Sequence, residues 1–221
     1  MDKAVILVSG GMDSATCLWW AKKCGWELNT ITYNYFQRTD REIEATNHLI
    51  ENAKVHEHRT VDIPFLRDIE DILKYSTETL PEGLKTKPSA YIPARNVVFY
   101  GLAASWAEAL GAERIIGGHN NMDSHLFPDS TPKFFEALNT AFRVGTWMGR
   151  TDRLEVIRPL EKLDKTGILR LAIDLKVPID LTWSCYRGRE RACGVCDACV
   201  KRLRAFEETG LRDPVEYEDR I

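Results

Sequence analysis

The sequence opens without a segment that could enter a membrane. Its N-terminal apolar stretch, Ala4 to Val8, is far shorter than the ~20 residues of a bilayer span and shorter than a secretory leader, and it runs straight into Ser9-Gly10-Gly11. A cytoplasmic protein with no membrane partner is expected. Excess positive charge is also missing: 30 basic against 33 acidic residues give a net charge of −3, so no global field gathers a polyanion and nucleic acid is an unfavoured partner. Scattered cysteines are missing as well. Of six, four fall within fifteen residues, at Cys185, Cys193, Cys196 and Cys199. Cytoplasmic thiols stay reduced, so this clustering excludes a disulfide framework and points to a metal. The other two, Cys17 and Cys24, read as small buried residues of the first helix. The chain contains neither the Gly-x-x-x-x-Gly-Lys-Ser/Thr of a P-loop nor the Gly-x-Gly-x-x-Gly of a dinucleotide fold.

What remains is ordinary globular composition, with 44% hydrophobic and 29% charged residues, and enough length for one domain with a sizeable core. Apolar runs alternate with helical periodicity: strands over 3–8, 27–33, 57–63, 113–118 and 154–157, helices over 14–23, 40–53, 65–74, 95–110, 132–146 and 165–175. This alternation predicts a doubly wound α/β fold with a parallel sheet. Residues 75–92 carry Pro81, Gly83 and Pro88 and read as a long loop, a candidate lid. The helix over 95–110 is almost wholly apolar and is expected to be buried, ending at Gly111. The rhythm stops after residue 180. Residues 1–180 are assigned to the α/β domain, and 181–221 to a small metal-binding segment packed on it, with a basic helix over 197–209.

The Gly-rich turn Ser9-Gly10-Gly11-Met12-Asp13-Ser14 joins the first strand to the first helix. A turn there gathers unpaired N–H groups at the positive end of the helix dipole, which suits phosphate. Gly10 and Gly11 let the backbone approach the anion, Ser9 and Ser14 add hydroxyls, and Asp13 can engage a Mg²⁺ ion carried with ATP. Ser-Gly-Gly-x-Asp-Ser at this place resembles the PP-loop of ATP pyrophosphatases, whose members cleave ATP to AMP and pyrophosphate and have the adenine nucleotide alpha hydrolase-like fold.

Further segments match in order and spacing: VSGGMDSATCL over 8–18, YNYFQR over 33–38, IPARN over 92–96, FPD over 127–129, PLEKLDK over 159–165 and SCYRGRERACGVCDAC over 184–199. Together they resemble the 7-cyano-7-deazaguanine synthase (QueC) family, which makes a nitrile from 7-carboxy-7-deazaguanine, ammonia and ATP for queuosine or archaeosine. The resemblance implies nucleotide contacts along Val8, Ser9, Gly10, Gly11, Met12, Asp13, Ser14, Ala15, Thr16, Cys17 and Leu18. It implies acceptor contacts at Gln37, Arg38, Arg95, Asn96 and Asp129, and catalytic roles for Asp13, Ser14 and Lys165, the last as the cation facing leaving pyrophosphate. It leaves a homodimer open. Two segments depart from the family pattern. Tyr35-Phe36-Gln37-Arg38-Thr39 stands where Tyr-Gly-Gln-Arg-His is common, and His125-Leu126-Phe127-Pro128-Asp129-Ser130 where Ser-Gly-Tyr-Pro-Asp-Cys is common. A paralogue joining a related acid to a different amine, or a tRNA-modifying PP-loop enzyme, is the competing reading.

Four thiolates with the last Cys-x-x-Cys entering a helix suit one tetrahedral Zn²⁺, closed by protein ligands and therefore structural. Cys199 is followed by Val200, whereas ferredoxin-type clusters usually have a distal Cys-Pro. His119 and His125 flank Asn120, Asn121 and Asp123 and make a second metal conceivable, although two such histidines in a polar loop are more often hydrogen-bonded. Arg187, Arg189, Arg191, Lys201, Arg202 and Arg204 read as a solvated basic face.

Overall fold

The computed structural model describes residues 2–35, 39–75, 79–88, 90–151, 153–187 and 190–218. Five parallel strands form one sheet: β1 (Lys3–Leu7), β2 (Glu27–Asn34), β3 (Glu57–Asp62), β4 (Arg114–Ile116) and β5 (Glu155–Ile157), in the order β3-β2-β1-β4-β5. Side chains alternate between faces, so each central strand feeds two cores. Ala4, Ile6 and Val8 face one core, which α1 (Met12–Lys23), α2 (Asp40–Ala53), α8 (Lys165–Asp174) and α9 (Asp197–Thr209) complete with Leu18, Leu49, Leu169 and Phe206. Val5, Ile31 and Ile115 face the other, closed by α5 (Arg95–Leu110) and α7 (Pro132–Gly145) through Tyr100, Phe135 and Leu138. Strand order reverses between β1 and β4, and the crevice at such a switch point is where doubly wound folds take ligands.

Three expectations need correction. The apolar composition of α5 predicts burial all round, yet Val97, Gly101 and Leu102 lie exposed, because the helix covers a sheet face with only one side. Cys24 is exposed beyond the end of α1, where the chain turns toward Gly25; only Cys17 is buried. The loop over 75–92 contains a short helix, α4 (Glu82–Lys85), following α3 (Pro64–Tyr75). A further helix, α6 (Asn121–Leu126), has six mostly polar residues and therefore no periodicity to read. It is set by a capping box, in which Asn120 Oδ1 accepts from the Met122 and Asp123 N–H groups and the Asp123 carboxylate accepts from Asn120 N–H.

The C-terminal segment is continuous with this architecture, since Ala205 and Phe206 of α9 belong to the same core as β1. Its anchor is Arg202, 1% exposed, which donates to both carboxylate oxygens of Asp213 at 2.7 and 3.0 Å, to Thr182 Oγ1 and to Ile179 O. Tyr217 OH donates to the same carboxylate. Arg202 thus leaves the predicted solvated face. Removing either charge would strand the other in the interior, at about 3–5 kcal/mol. No helix among the described residues is long and apolar enough to cross a membrane.

Candidate active site and metal centre

The first turn of α1 has no side-chain cap, because Gly11 occupies the N-cap position. Its N–H groups are therefore available to an anion. The loop ahead of it is shaped by its own hydroxyls: Ser9 N–H donates to Ser14 Oγ at 3.1 Å, and Ser14 Oγ donates to Gly11 O at 3.0 Å. Gly10 is required, since its φ is +86° and a Cβ there would meet Glu42 O and Thr46 Oγ1 at 2.9 Å. The chain after β4 closes over the loop in the same manner. A Cβ on Gly118 would press on the Asp13–Ser14 peptide at 3.3 Å, and one on Gly117 would strike the Tyr100 hydroxyl.

Asp13 is the polar centre. Lys165 Nζ donates to its Oδ1 at 2.5 Å and Asn120 Nδ2 to its Oδ2 at 3.0 Å, so residues from α1, α8 and the β4 exit meet at one carboxylate. Lys165 is the first residue of α8, whose N-cap Asp164 accepts from Gly167 N–H at 2.7 Å. Cavities open on both sides of the loop. One, of about 400 Å³, runs along the strand ends past Ile31, Tyr33, Phe99, Arg95 and Phe127. The other, of about 560 Å³, lies toward Lys165, Trp183, Tyr186 and α9. Ser9, Asp13, Ser14, Glu42 and Asp123 line both. Burial raises the Asp123 carboxyl above its usual range, aided by Asp13. His119 is enclosed by Tyr100 and Phe135, with Nδ1 3.4 Å from Ser130 Oγ. Burial first, then the nearby Arg95 and Arg158, lower its pKa to about 4, so it is neutral at pH 7.

The predicted residues divide by position. Val8, Ser9, Gly11, Met12, Asp13, Ser14 and Lys165 line one or both cavities, whereas Ala15, Thr16, Cys17 and Leu18 are fully buried in α1. Arg95 lines the first cavity, its guanidinium 6.0 Å from the Tyr35 ring. Asn96 and Asp129 are buried against each other: Asn96 N–H donates to Asp129 Oδ2 at 3.0 Å and Asn96 Nδ2 to Asp129 O at 2.8 Å. Gln37 and Arg38 lie outside the described residues. Glu42, Gly117, Gly118 and Trp183 escaped sequence reasoning as site residues, and Asn120 and Asp123 entered it only beside a conceivable second metal. The Gly117-Gly118 pair at the end of a predicted strand was the available signal.

Cys185, Cys193, Cys196 and Cys199 bring four sulfurs within 4.8 Å of one another, the only such cluster of potential metal ligands among the described residues. Four sulfurs ~2.3 Å from one ion sit ~3.8 Å apart, so a small contraction completes a tetrahedron and the cluster can hold a metal ion such as zinc. Backbone N–H groups support the sulfurs, from Arg187 and Cys193 to Cys185 Sγ at 3.4 Å and from Cys196 to Cys193 Sγ at 3.3 Å. The Cys193 thiol is held down at about 6: burial pushes it up, but N–H donors from Val195 and Cys196 and the neighbouring sulfurs outweigh that. Basic side chains here are matched by acids, Lys201 with Asp197 and Arg204 with Glu208, both at 2.7 Å. Trp183 links the centre to the phosphate loop, since its N–H donates to Gly10 O at 2.9 Å while its indole Nε1 donates to Cys185 O at 2.9 Å.

Known proteins resemble the chain at two levels. Among solved structures, NMN synthetase from Francisella tularensis matches with a TM-score of 0.53 at 18% identity, over 96% of this chain and 78% of that one. A 4-thiouridine synthetase, in a complex with RNA and bound ATP, matches with a TM-score of 0.55 at 19% identity, over 95% of this chain and 50% of that one. These likenesses establish the fold, a parallel α/β sheet covered by helices. The family model described as queuosine biosynthesis protein QueC matches residues 3–210. Proteins named 7-cyano-7-deazaguanine synthase are 39% identical in Thermoplasma acidophilum, over 98% of this chain and 92% of that one, and 41% identical in Oceanobacillus iheyensis, over 97% and 98%. A third, from Acetivibrio thermocellus, is 40% identical over the whole of both chains. With residues 3–210 matched by the family model and relatives about 40% identical over nearly the full length, the chain belongs to the 7-cyano-7-deazaguanine synthase (QueC) family of enzymes.

Proposed function

We propose that this chain converts 7-carboxy-7-deazaguanine and ammonia to 7-cyano-7-deazaguanine through adenylates, cleaving one ATP to AMP and pyrophosphate at each of two activations. The observation that carries this reading is the Asp13–Lys165 contact at the uncapped N-terminus of α1, where an anion, its counter-cation and a basic side chain can meet. Turning a carboxylate into a nitrile removes both oxygens. The first leaves with AMP when ammonia attacks the acyl adenylate and gives the amide. The second leaves with another AMP when the adenylated amide loses its remaining nitrogen-bound proton.

In this scheme the N–H groups of the first turn and the Ser9 hydroxyl receive the β- and γ-phosphates. Ser14 keeps the loop open to them through its bonds to Ser9 and Gly11. Lys165 is held by Asp13 before ATP arrives and meets the charge that develops on leaving pyrophosphate. Mg²⁺ entering with ATP would spread that charge further, and Asp13 is the carboxylate beside the loop suited to hold it. Arg95 takes the acceptor carboxylate or the α-phosphate, and Gln37 and Arg38 are the other residues the family resemblance offers for the acceptor. A structural Zn²⁺ on the four cysteines supplies no chemistry of its own and braces residues 181–221 as a cover on the α/β unit of 1–180. Reduced thiolates of this kind belong in the cytoplasm.

The test is a product assay. With ATP, Mg²⁺, ammonia and 7-carboxy-7-deazaguanine, mass spectrometry should detect the nitrile, with two AMP formed for each. AMP without nitrile would favour a paralogue acting on another acid or amine, a reading motivated by His125-Leu126-Phe127 in place of the common Ser-Gly-Tyr.

A further inference from the structure

We propose that Asn120 is a positioning residue for Asp13, holding one carboxylate oxygen in place so that Lys165 can turn from Asp13 to the phosphates when ATP binds. Two donors divide this carboxylate: Lys165 Nζ takes Oδ1 at 2.5 Å and Asn120 Nδ2 takes Oδ2 at 3.0 Å. Each carboxylate oxygen has two lone pairs, so both contacts leave room for a cation carried in with ATP.

The amide is aimed by the helix it caps. Asn120 Oδ1 accepts from the Met122 and Asp123 N–H groups at 2.9 and 3.3 Å, which commits the oxygen to α6 and turns the nitrogen toward Asp13. Capping alone does not call for asparagine. Serine and aspartate start helices equally well, but neither carries an amide N–H. The donor is surplus to the cap, and it is the part of the side chain that Asp13 uses.

Asn120 and Lys165 are also braced against each other. Asn121 N–H donates to Leu163 O at 3.1 Å, so the chain leaving β4 is tied to the stretch just ahead of α8. Gly118 brings the same stretch against the Asp13–Ser14 peptide, where a Cβ would press at 3.3 Å. All three side chains open on the second cavity. To meet leaving pyrophosphate, Lys165 must give up Asp13 Oδ1. A carboxylate held by nothing else would then rotate about its Cβ–Cγ bond and follow the ammonium with both oxygens, competing with phosphate for it. With Oδ2 kept on Asn120, the carboxylate keeps its plane and Lys165 can leave it.

This role rests on the synthase reading, and the experiment separates the two. Asn120→Ser retains a good N-cap and deletes the donor, so its melting temperature should stay near wild type while kcat for AMP formation falls roughly ten- to a hundredfold, the range of a lost hydrogen bond to a charged group. The Mg²⁺ concentration for half-maximal rate should rise with it. Asn120→Asp, which also caps but sets a like charge against Asp13, should lose at least as much. A double-mutant cycle identifies the partner: Asn120→Ser should weaken Mg²⁺-dependent binding of a non-hydrolysable ATP analogue in the wild-type background and add nothing in the Asp13→Ala background. Wild-type kcat and Mg²⁺ dependence in either variant, or the same weakening with and without Asp13, would overturn the role while leaving the synthase reading standing. Wild-type protein that forms no AMP with 7-carboxy-7-deazaguanine and ammonia would overturn both.

Discussion

The phosphate loop and the cysteine knuckle are both short, irregular stretches beside the same helix-capped crevice, yet they are held in opposite ways. The loop is held from within the fold: Ser9 and Ser14 bond each other, and Gly10 and Gly118 let neighbouring backbone press against it. The knuckle around Cys185 to Cys199 has little regular structure before α9 and gathers four thiols whose mutual repulsion as thiolates only a cation can relieve. Chemistry in the loop should therefore be removable without loss of fold, whereas loss of a knuckle ligand should act through the fold.

The sharpest break is at the loop. Asp13→Ala should abolish AMP formation in a pyrophosphate-release assay, and Lys165→Ala should lower it roughly tenfold to a thousandfold, as expected for one lost transition-state contact. Both variants should keep their metal content and melting temperature, because the two side chains are partly open to the cavities. A large drop in melting temperature in either would erase the distinction between the two regions. Cys196→Ser should behave in the opposite way, losing the metal by elemental analysis and melting earlier or aggregating, with activity lost as a consequence. A metal-free but fully stable variant would show that the Arg202–Asp213 anchor holds the segment by itself.

A smaller effect separates the regions by pH. His119 is partly buried and held neutral with a pKa of about 4, while an unfolded chain titrates it near ~6.5. Below ~6.5 the unfolded state binds more protons, so stability is full above that pH and falls as acid is added toward 4, by up to about 3 kcal/mol. Denaturant titrations of His119→Asn across this window should show a flatter limb than wild type. The smallest effect lies where the regions meet. Trp183→Ala removes the indole that donates to Cys185 O and stacks under Arg41 while sparing the backbone bond to Gly10, and should raise the ATP KM only a few-fold.

Legibility in the sequence follows the same division. The loop and the four cysteines were readable because each concentrates its chemistry in adjacent residues. Lys165 was readable through the family resemblance of PLEKLDK over 159–165. Gly117, Gly118, Asn120 and Asp123 join the site only because strand order puts β4 next to β1, more than a hundred residues away in sequence. Periodicity says nothing about which strands become neighbours. Nor could an apolar stretch such as Arg95–Leu110 announce which face would meet solvent, since without a polar stripe all faces look alike.

The hydrogen bond from Trp183 N–H to Gly10 O has a consequence for the order of events during synthesis. Gly10 leaves the ribosome well before its brace, which is encoded 173 residues later (183 − 10). At ~5–20 residues per second, the two are separated by roughly ten to thirty seconds of translation. During that interval the strand and helix on either side of the loop can form, while the loop itself waits for its support. The crevice beside the loop is therefore finished only after Trp183 has been made.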